Sequence, residues 1–193
     1  MQRNPCLCVP AFLFLAVTLP HAAVVDRVAV VIDKTVITES EVLEDLRLTD
    51  FINNHPLDLG AAARRAAAEH LVDQELIRRE LENSGFGQAS PGDADAPLRK
   101  FRQDRFQSLE EYRAALQKYG ITEDQLRRRL LWQVTAIGFT EQRFRPFEIG
   151  SSSQSADRAV SDTASNTVDQ RMDAWLKQAR ANSKITFKPE AFQ

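Results

Sequence analysis

The alternation of apolar and polar residues predicts a short β-strand at each end of the chain. Residues 25–32 are rich in β-branched side chains, and after a turn at 33–34 residues 35–37 can continue in an extended conformation. Near the C-terminus, residues 184–188 alternate in polarity as an edge strand does. A strand without a neighbour leaves its backbone amides unpaired, which is costly once they are buried. We therefore expect the two terminal strands to pair with each other.

A long central helix is predicted over about residues 58–84, where the alanine-rich start has high helix propensity and Gly85 provides a C-terminal cap. At 100° per residue its apolar side chains spread over a wide arc, which implies contact with more than one neighbouring element. This arc comprises Ala63, Ala66, Ala67, His70, Leu71, Val72, Leu76, Ile77 and Leu81.

Capping boxes predict where four other helices begin. In this motif a Ser or Thr hydroxyl accepts the amide three residues later, and the side chain there accepts the amide of the cap residue. The pairs are Thr38 with Glu41, Ser108 with Glu111, Thr122 with Gln125, and Thr167 with Gln170. Two of these helices carry apolar stripes that we expect to face the core: Leu126, Leu130, Val134 and Ile137 in one, and Val168, Met172, Trp175, Leu176 and Ala179 in the other.

Residues 86–96 allow two interpretations. Pro91 could occupy the first position of a helix, which Pro97 would then kink, or the helix begins near Asp95.

The predicted fold class is mainly α: a helical bundle around the long central helix, with a short two-stranded sheet that pairs the mature N-terminus with the C-terminus. Residues 24–149 would form the helical domain, and residues 167–193 would complete it with a helix and a strand. The polar residues 150–166 between them are predicted to be a linker, or at most a polar extension of the last helix.

The N-terminal residues 1–23 have the pattern of a secretory signal peptide. Arg3 precedes an apolar run over residues 9–19, and small residues follow it. The run is shorter than the roughly 20 residues that a membrane-spanning helix needs. We expect cleavage after Ala22 or Ala23, export to the periplasm, and no membrane insertion after cleavage. The alternative is an uncleaved N-terminal anchor.

Charge and cysteine content exclude several classes of function. Cleavage would leave 24 cationic and 27 acidic side chains, a net charge of −3, which provides no attractive field for nucleic acid. Both cysteines, Cys6 and Cys8, lie inside the predicted signal peptide. The mature chain would therefore form no disulfide and offer no thiol nucleophile.

The sequence contains no metal-binding motif and no phosphate-binding glycine loop, so we expect no metal, no cofactor and no enzymatic activity. His70 is interpreted as a satisfied core residue, and Gln74 is expected to bond backbone. The run of Arg127, Arg128 and Arg129 is interpreted as a solvated helix face in preference to an anion site, because consecutive residues point in three directions.

Several stretches, in this order, resemble SurA-type periplasmic chaperones: VVDRVAVVID at 24–33, VITESEV at 36–42, HLVDQELI at 70–77 and YGITEDQLR at 119–127. The resemblance covers about residues 24–144 together with the last helix and strand. It implies a module that holds unfolded outer-membrane proteins and whose N-terminal part is completed by a C-terminal helix and strand. Members of the family usually carry parvulin-type prolyl isomerase domains, for which residues 150–166 leave no room.

The expected function is therefore reversible binding of unfolded or outer-membrane polypeptides through apolar contacts. Large side chains near the central helix are the candidate client contacts, with an ordinary core position as the alternative for each: Phe101, Phe106, Tyr112, Trp132 and Phe139. Two other functions remain open, a prolyl isomerase by family alone and an assembly partner of one folded protein. The sequence also leaves open whether the chain forms a dimer.

Overall fold

Helices dominate the computed structural model, which describes residues 26–87, 89–144 and 159–193, with the backbone alone for 159–167. The mainly α class is confirmed. The elements are β1 (Val28–Ile32), β2 (Thr35–Thr38), α1 (Glu39–Asn53), α2 (Ala61–Ser84), α3 (Asp95–Arg105), α4 (Leu109–Tyr119), α5 (Glu123–Phe144), α6 (Ala159–Ala181) and β3 (Ile185–Phe187). Two single turns of 3-10 helix lie at Pro91–Ala94 and Pro189–Phe192. The predicted signal peptide lies outside the described residues.

The two ends of the described chain meet in one antiparallel sheet with the strand order β2-β1-β3. Val30 pairs with Phe187 and Ile32 with Ile185, so the predicted pairing of the terminal strands is confirmed. The sheet has three strands where two were predicted, because residues 35–38 return as a hairpin beside β1. The positive φ of Asp33 (53°) makes the hairpin turn, and its Oδ1 accepts the amide of Lys184 at 2.8 Å.

The first helix begins as its sequence predicts. The side chain of Thr38 accepts the amide of Glu41, and the carboxylate of Glu41 accepts the amide of Thr38 at 2.7 Å. The central helix α2 begins at Ala61, three residues later than predicted, since Asp58 Oδ1 accepts the amide of Gly60 at 2.8 Å and holds that stretch in a turn.

The buried side of α2 differs from the predicted arc: Ala66 and His70 of the arc are exposed, and Ala68 and Glu75 outside it are buried. The first half of the helix packs against the sheet through Ala68 and Val72. Its second half packs against α5 and α6 through Ile77 and Leu81. Because the neighbours change along the helix, one averaged arc places the buried side incorrectly.

Of the two interpretations of residues 86–96, the start near Asp95 is confirmed. Residues Pro91–Ala94 form a 3-10 turn and α3 follows from Asp95. Pro97 then lies in the first turn of α3, where backbone amides have no partner inside the helix and a missing N–H costs little.

The predicted starts of α4 and α5 are also confirmed. Ser108 Oγ accepts the amide of Glu111 at 3.1 Å, although the Glu111 carboxylate accepts the amide of Gln107 and not that of Ser108. At the next cap both bonds of the box form, between the amide of Thr122 and Gln125 Oε1 at 2.7 Å and between the amide of Gln125 and Thr122 Oγ1 at 3.2 Å.

The start of α6 was predicted incorrectly. This helix begins at Ala159, eight residues before the capping box at Thr167, so residues 159–166 are the helix extension that was the second interpretation of this stretch. No glycine or proline interrupts Ala159–Ala181, which lets the helix extend through weakly helix-forming residues.

Three apolar clusters hold the described residues together. The first lies between the sheet, α1 and α2 and is closed by Phe192. The second joins α1, α3, α4 and α5. The third joins α2, α5 and α6, and Trp175 packs against both the first and the third cluster.

Candidate polypeptide-binding surface

The five candidate client contacts divide between two regions and two degrees of burial. Tyr112 and Phe139 are each only 1% exposed, so they are ordinary core residues and offer no surface to a client. Phe101 and Phe106 lie half-buried at the margin of the second cluster, and Trp132 lies half-buried at the margin of the third.

Phe51 is the centre around which the first group of aromatic residues assembles. Its ring centroid lies 5.5 Å from that of Phe101, 6.1 Å from that of Phe106 and 5.4 Å from that of Tyr119. Phe106 in turn contacts Tyr112 edge-on at 5.3 Å. Such pairs contribute roughly 0.5–1.5 kcal/mol each beyond the burial of their area. These rings therefore stabilise the packing of α1, α3 and α4, and only Phe101 and Phe106 among them are partly exposed.

The apolar stripe of α5 continues past the residues that cover it. Leu126 and Leu130 are buried in the second cluster, and Val134 is half-buried. Ile137, one turn further along the same face, is 60% exposed and is the most exposed of the large apolar residues that the structure describes. The prediction that Ile137 faces the core is wrong, because the elements packed around Leu126 and Leu130 do not extend to it.

A second exposed apolar site lies on the outer face of the sheet. Val31 of β1 pairs with Val36 of β2 and, on its other side, with Thr186 of β3. Val36 is exposed and Val31 is half-buried. This pair is small, and its strands are only three to five residues long.

A cleft of about 250 Å³ opens between α3 and α4. The guanidinium of Arg102 lies 5.2 Å from the ring centroid of Tyr112, and the exposed Leu109 begins α4 at its edge. The residues that line this α3–α4 cleft are Arg99, Arg102, Gln103, Phe106, Gln107, Ser108, Leu109 and Tyr112. Burial raises the pKa of Tyr112, and the nearby carboxylate of Glu123 raises it further, so this phenol stays neutral.

A buried polar cluster lies between α1, α2 and α5, and its centre is Asp45. Asp45 is 4% exposed and Arg129 donates to its Oδ1 from a side chain that is 10% exposed. Gln74 Nε2 donates to the same oxygen at 3.1 Å, and His70 Nδ1 lies 3.0 Å from Oδ2. Arg129 also donates to Thr49 Oγ1 at 3.2 Å.

This cluster corrects three predictions from the sequence. Arg129 is not on a solvated face, although its neighbour Arg128 is mostly exposed and pairs with Glu44 at 3.7 Å. Gln74 bonds side chains and not backbone. The His70 side chain is 47% exposed and reaches the buried carboxylate from the surface.

The cluster holds a charge at Asp45 in spite of its burial. Burial raises the pKa of Asp45, but the hydrogen bond to His70 and the charge of Arg129 together lower it by more, so its pKa lies below the ordinary value. A carboxylate with three partners is therefore ionised at neutral pH. Because its partners come from α2 and α5, it fixes the position of the helix that carries Val134 and Ile137.

Within the described ranges, no set of three or more histidine, cysteine or acidic residues is arranged to hold a metal ion. The helices of residues 26–87, 89–144 and 159–193 also include none with the length and apolar character needed to cross a membrane.

Comparison with models of known protein families finds no match to this chain, and comparison with curated proteins finds none either.

Proposed function

We propose that this protein is a periplasmic, holdase-like module that binds unfolded polypeptides, including outer-membrane proteins, through reversible apolar contacts. The proposal needs no cofactor and no covalent step. Its support comes from the order of SurA-like stretches in the sequence, from the signal-peptide pattern, and from one feature of the surface.

That feature is the uncovered end of the α5 stripe. Val134 and Ile137 continue a core-forming pattern, yet Ile137 is 60% exposed. Exposed apolar surface binds other chains where several such side chains adjoin, and the half-buried Val134 adjoins Ile137 on this stripe. Trp132 is half-buried on the same helix, and the guanidinium of Arg78 lies 5.4 Å from its ring centroid.

The strength of such contacts fits reversible binding. Complete burial of an isoleucine or valine side chain yields about 1.5–3 kcal/mol. A client segment that covers two or three such side chains gains only a few kcal/mol before the cost of ordering it, so it binds weakly and is released without an energy source. The Asp45 cluster supports this mode of binding because it keeps α5 fixed when no client is bound.

The experiment is suppression of aggregation. Two unrelated proteins, a β-barrel outer-membrane protein and a soluble enzyme, are unfolded in urea and diluted into buffer with the mature chain, and light scattering is followed. We expect concentration-dependent suppression for both. Ile137→Gln removes an exposed apolar contact and should raise the concentration needed for half-suppression roughly three- to tenfold, as expected for partial loss of one buried side chain.

Leu57→Gln is the matched control. Leu57 is also an exposed apolar residue, but it lies between α1 and α2, away from the α5 stripe. Its variant should suppress aggregation as well as the unmodified chain. If Ile137→Gln and Leu57→Gln behave alike, the α5 stripe is not the binding surface. If the aggregation of neither client is suppressed, the holdase proposal is wrong. If the aggregation of only one client is suppressed, the protein is a dedicated assembly partner.

A further inference from the structure

The α3–α4 cleft combines two kinds of surface. Phe106, Leu109 and the ring of Tyr112 provide apolar walls. Arg99 and Arg102 provide two guanidinium groups, and no acidic residue lines the cleft. The cleft therefore offers an anion-binding side and an apolar side within one small volume.

The two arginines have no carboxylate partner among the described residues. Two nearby cations do: Lys100 donates to Asp104 at 2.7 Å, and Arg127 pairs with Asp95. Arg102 instead lies over the ring of Tyr112, a contact that leaves guanidinium N–H groups available. Of the two acidic residues in the first turn of α4, Glu111 accepts the amide of Gln107 at 2.8 Å, and Glu110 does not line the cleft.

The size of the cleft limits what it can hold. At about 250 Å³ it is smaller than the roughly 300–1,000 Å³ of typical small-molecule sites. It has room for one or two side chains of an extended polypeptide. Ser108 and Leu109, at its edge, also begin α4.

We propose that the α3–α4 cleft binds an acidic side chain of an extended client segment, with a neighbouring apolar side chain against Phe106 and Leu109. The carboxylate is held by Arg99 and Arg102. This inference rests on the proposed function, since it adds a sequence preference to polypeptide binding: apolar residues next to Asp or Glu bind more tightly than apolar residues alone.

The test uses the full mature chain and two short labelled peptides with blocked termini, one that carries a Leu-Glu pair and one with Leu-Gln in its place. Binding is followed by fluorescence anisotropy. We expect the Leu-Glu peptide to bind about tenfold more tightly, since hydrogen bonds to a charged group are the stronger ones. Arg99→Gln, at an exposed position, should remove most of that difference, and Arg99→Gln with Arg102→Gln should remove all of it.

Lys100→Gln is the matched control, because it removes the same charge from the same helix at a position that does not line the cleft. Its effect on the Leu-Glu preference should be less than twofold. Equal binding of the two peptides overturns the proposal, and so does an equal effect of Lys100→Gln and Arg99→Gln. If the preference is absent while aggregation is still suppressed, only the cleft assignment fails. If the preference for the Leu-Glu peptide is present but client aggregation is not suppressed, the holdase proposal fails and the carboxylate site stands.

Discussion

Arg180 of α6 donates through Nε to Asp73 of α2 at 2.6 Å, across 107 residues of sequence. The same guanidinium donates to the Glu69 carboxylate at 2.7 Å and to the Glu69 carbonyl oxygen at 2.9 Å. The hydrogen bonds to Asp73 and Glu69 raise the pKa of Arg180 although burial lowers it. The last helix is thus attached to the central helix by polar contacts as well as by the apolar side of Trp175.

Arg180→Gln is expected to weaken this attachment. Hydrogen bonds to charged groups contribute about 1.5–3 kcal/mol each when well formed, and the partly exposed position reduces that figure. We expect the free energy of unfolding to fall by about 1–2 kcal/mol, measured by urea denaturation. Lys177→Gln, an exposed position on the same helix, is the control and should change it by less than about 0.5 kcal/mol. Equal stabilities of the two variants would show that Arg180 does not hold α6.

Asp45 makes stability depend on pH in the acid range. Its pKa is lowered in the folded protein, so its contribution to stability is complete above the ordinary carboxyl pKa of about 3.9 and is lost as the pH falls through the lower native value. Thermal melts from pH 7 to pH 2.5 should therefore show a decline below about pH 4.

Asp45→Asn isolates this contribution from those of other carboxylates. The variant leaves Arg129 buried beside a neutral group, which typically costs about 3–5 kcal/mol. The variant should melt at a much lower temperature than the unmodified protein at pH 7. The difference in melting temperature between the two should narrow toward pH 2.5. A difference that stays constant over this range means that folding does not lower the pKa of Asp45.

Local signals explain the features that the sequence predicts well. The caps at Thr38, Ser108 and Thr122 depend on residues three positions apart, and the terminal strands follow from the need of each strand for a neighbour. The polar cluster could not be found in this way. Asp45 and Arg129 are 84 residues apart, and an arginine next to two others gives no sign of which one is buried.

The exposure of Ile137 could not be predicted from the sequence for a different reason. Periodicity shows which side of a helix is apolar, but not where along the helix the covering elements end. The same limit applies to His70, because α2 exchanges one set of neighbours for another along its length.

Export predicts a defined mature N-terminus. If residues 1–23 are a cleaved signal peptide, mass spectrometry of the protein purified from the periplasm should give an N-terminus at Ala23 or Val24. Recovery of the intact chain from the cytosol would contradict the proposed location.

Trp175→Ala tests whether α6 belongs to the core. Trp175 packs against the first and the third apolar clusters, and its ring centroid lies 6.0 Å from that of Phe144. Truncation of a buried tryptophan costs about 3–5 kcal/mol, and the half-buried position of this one places the expected loss near the lower value. Calorimetry should show one transition at a lower temperature. A second, separate transition would mean that α6 unfolds independently.

Truncation after Gly150 is the more severe test of how the two ends of the chain depend on each other. The deletion removes α6 and β3, so Val30 and Ile32 of β1 lose their partner strand while Phe139 and Phe144 lose the apolar side of α6. An unpaired, β-branched edge next to exposed aromatic rings favours aggregation. We expect the truncated protein to melt at a much lower temperature, without a sharp transition, and to scatter light at concentrations where the full mature chain does not.

Circular dichroism measures the melting of the truncated protein, and light scattering measures its aggregation. If the truncated protein instead melts as cooperatively and at the same temperature as the full mature chain, the pairing of β1 with β3 contributes nothing to stability, and the C-terminal helix and strand are an appendage to an independent N-terminal fold.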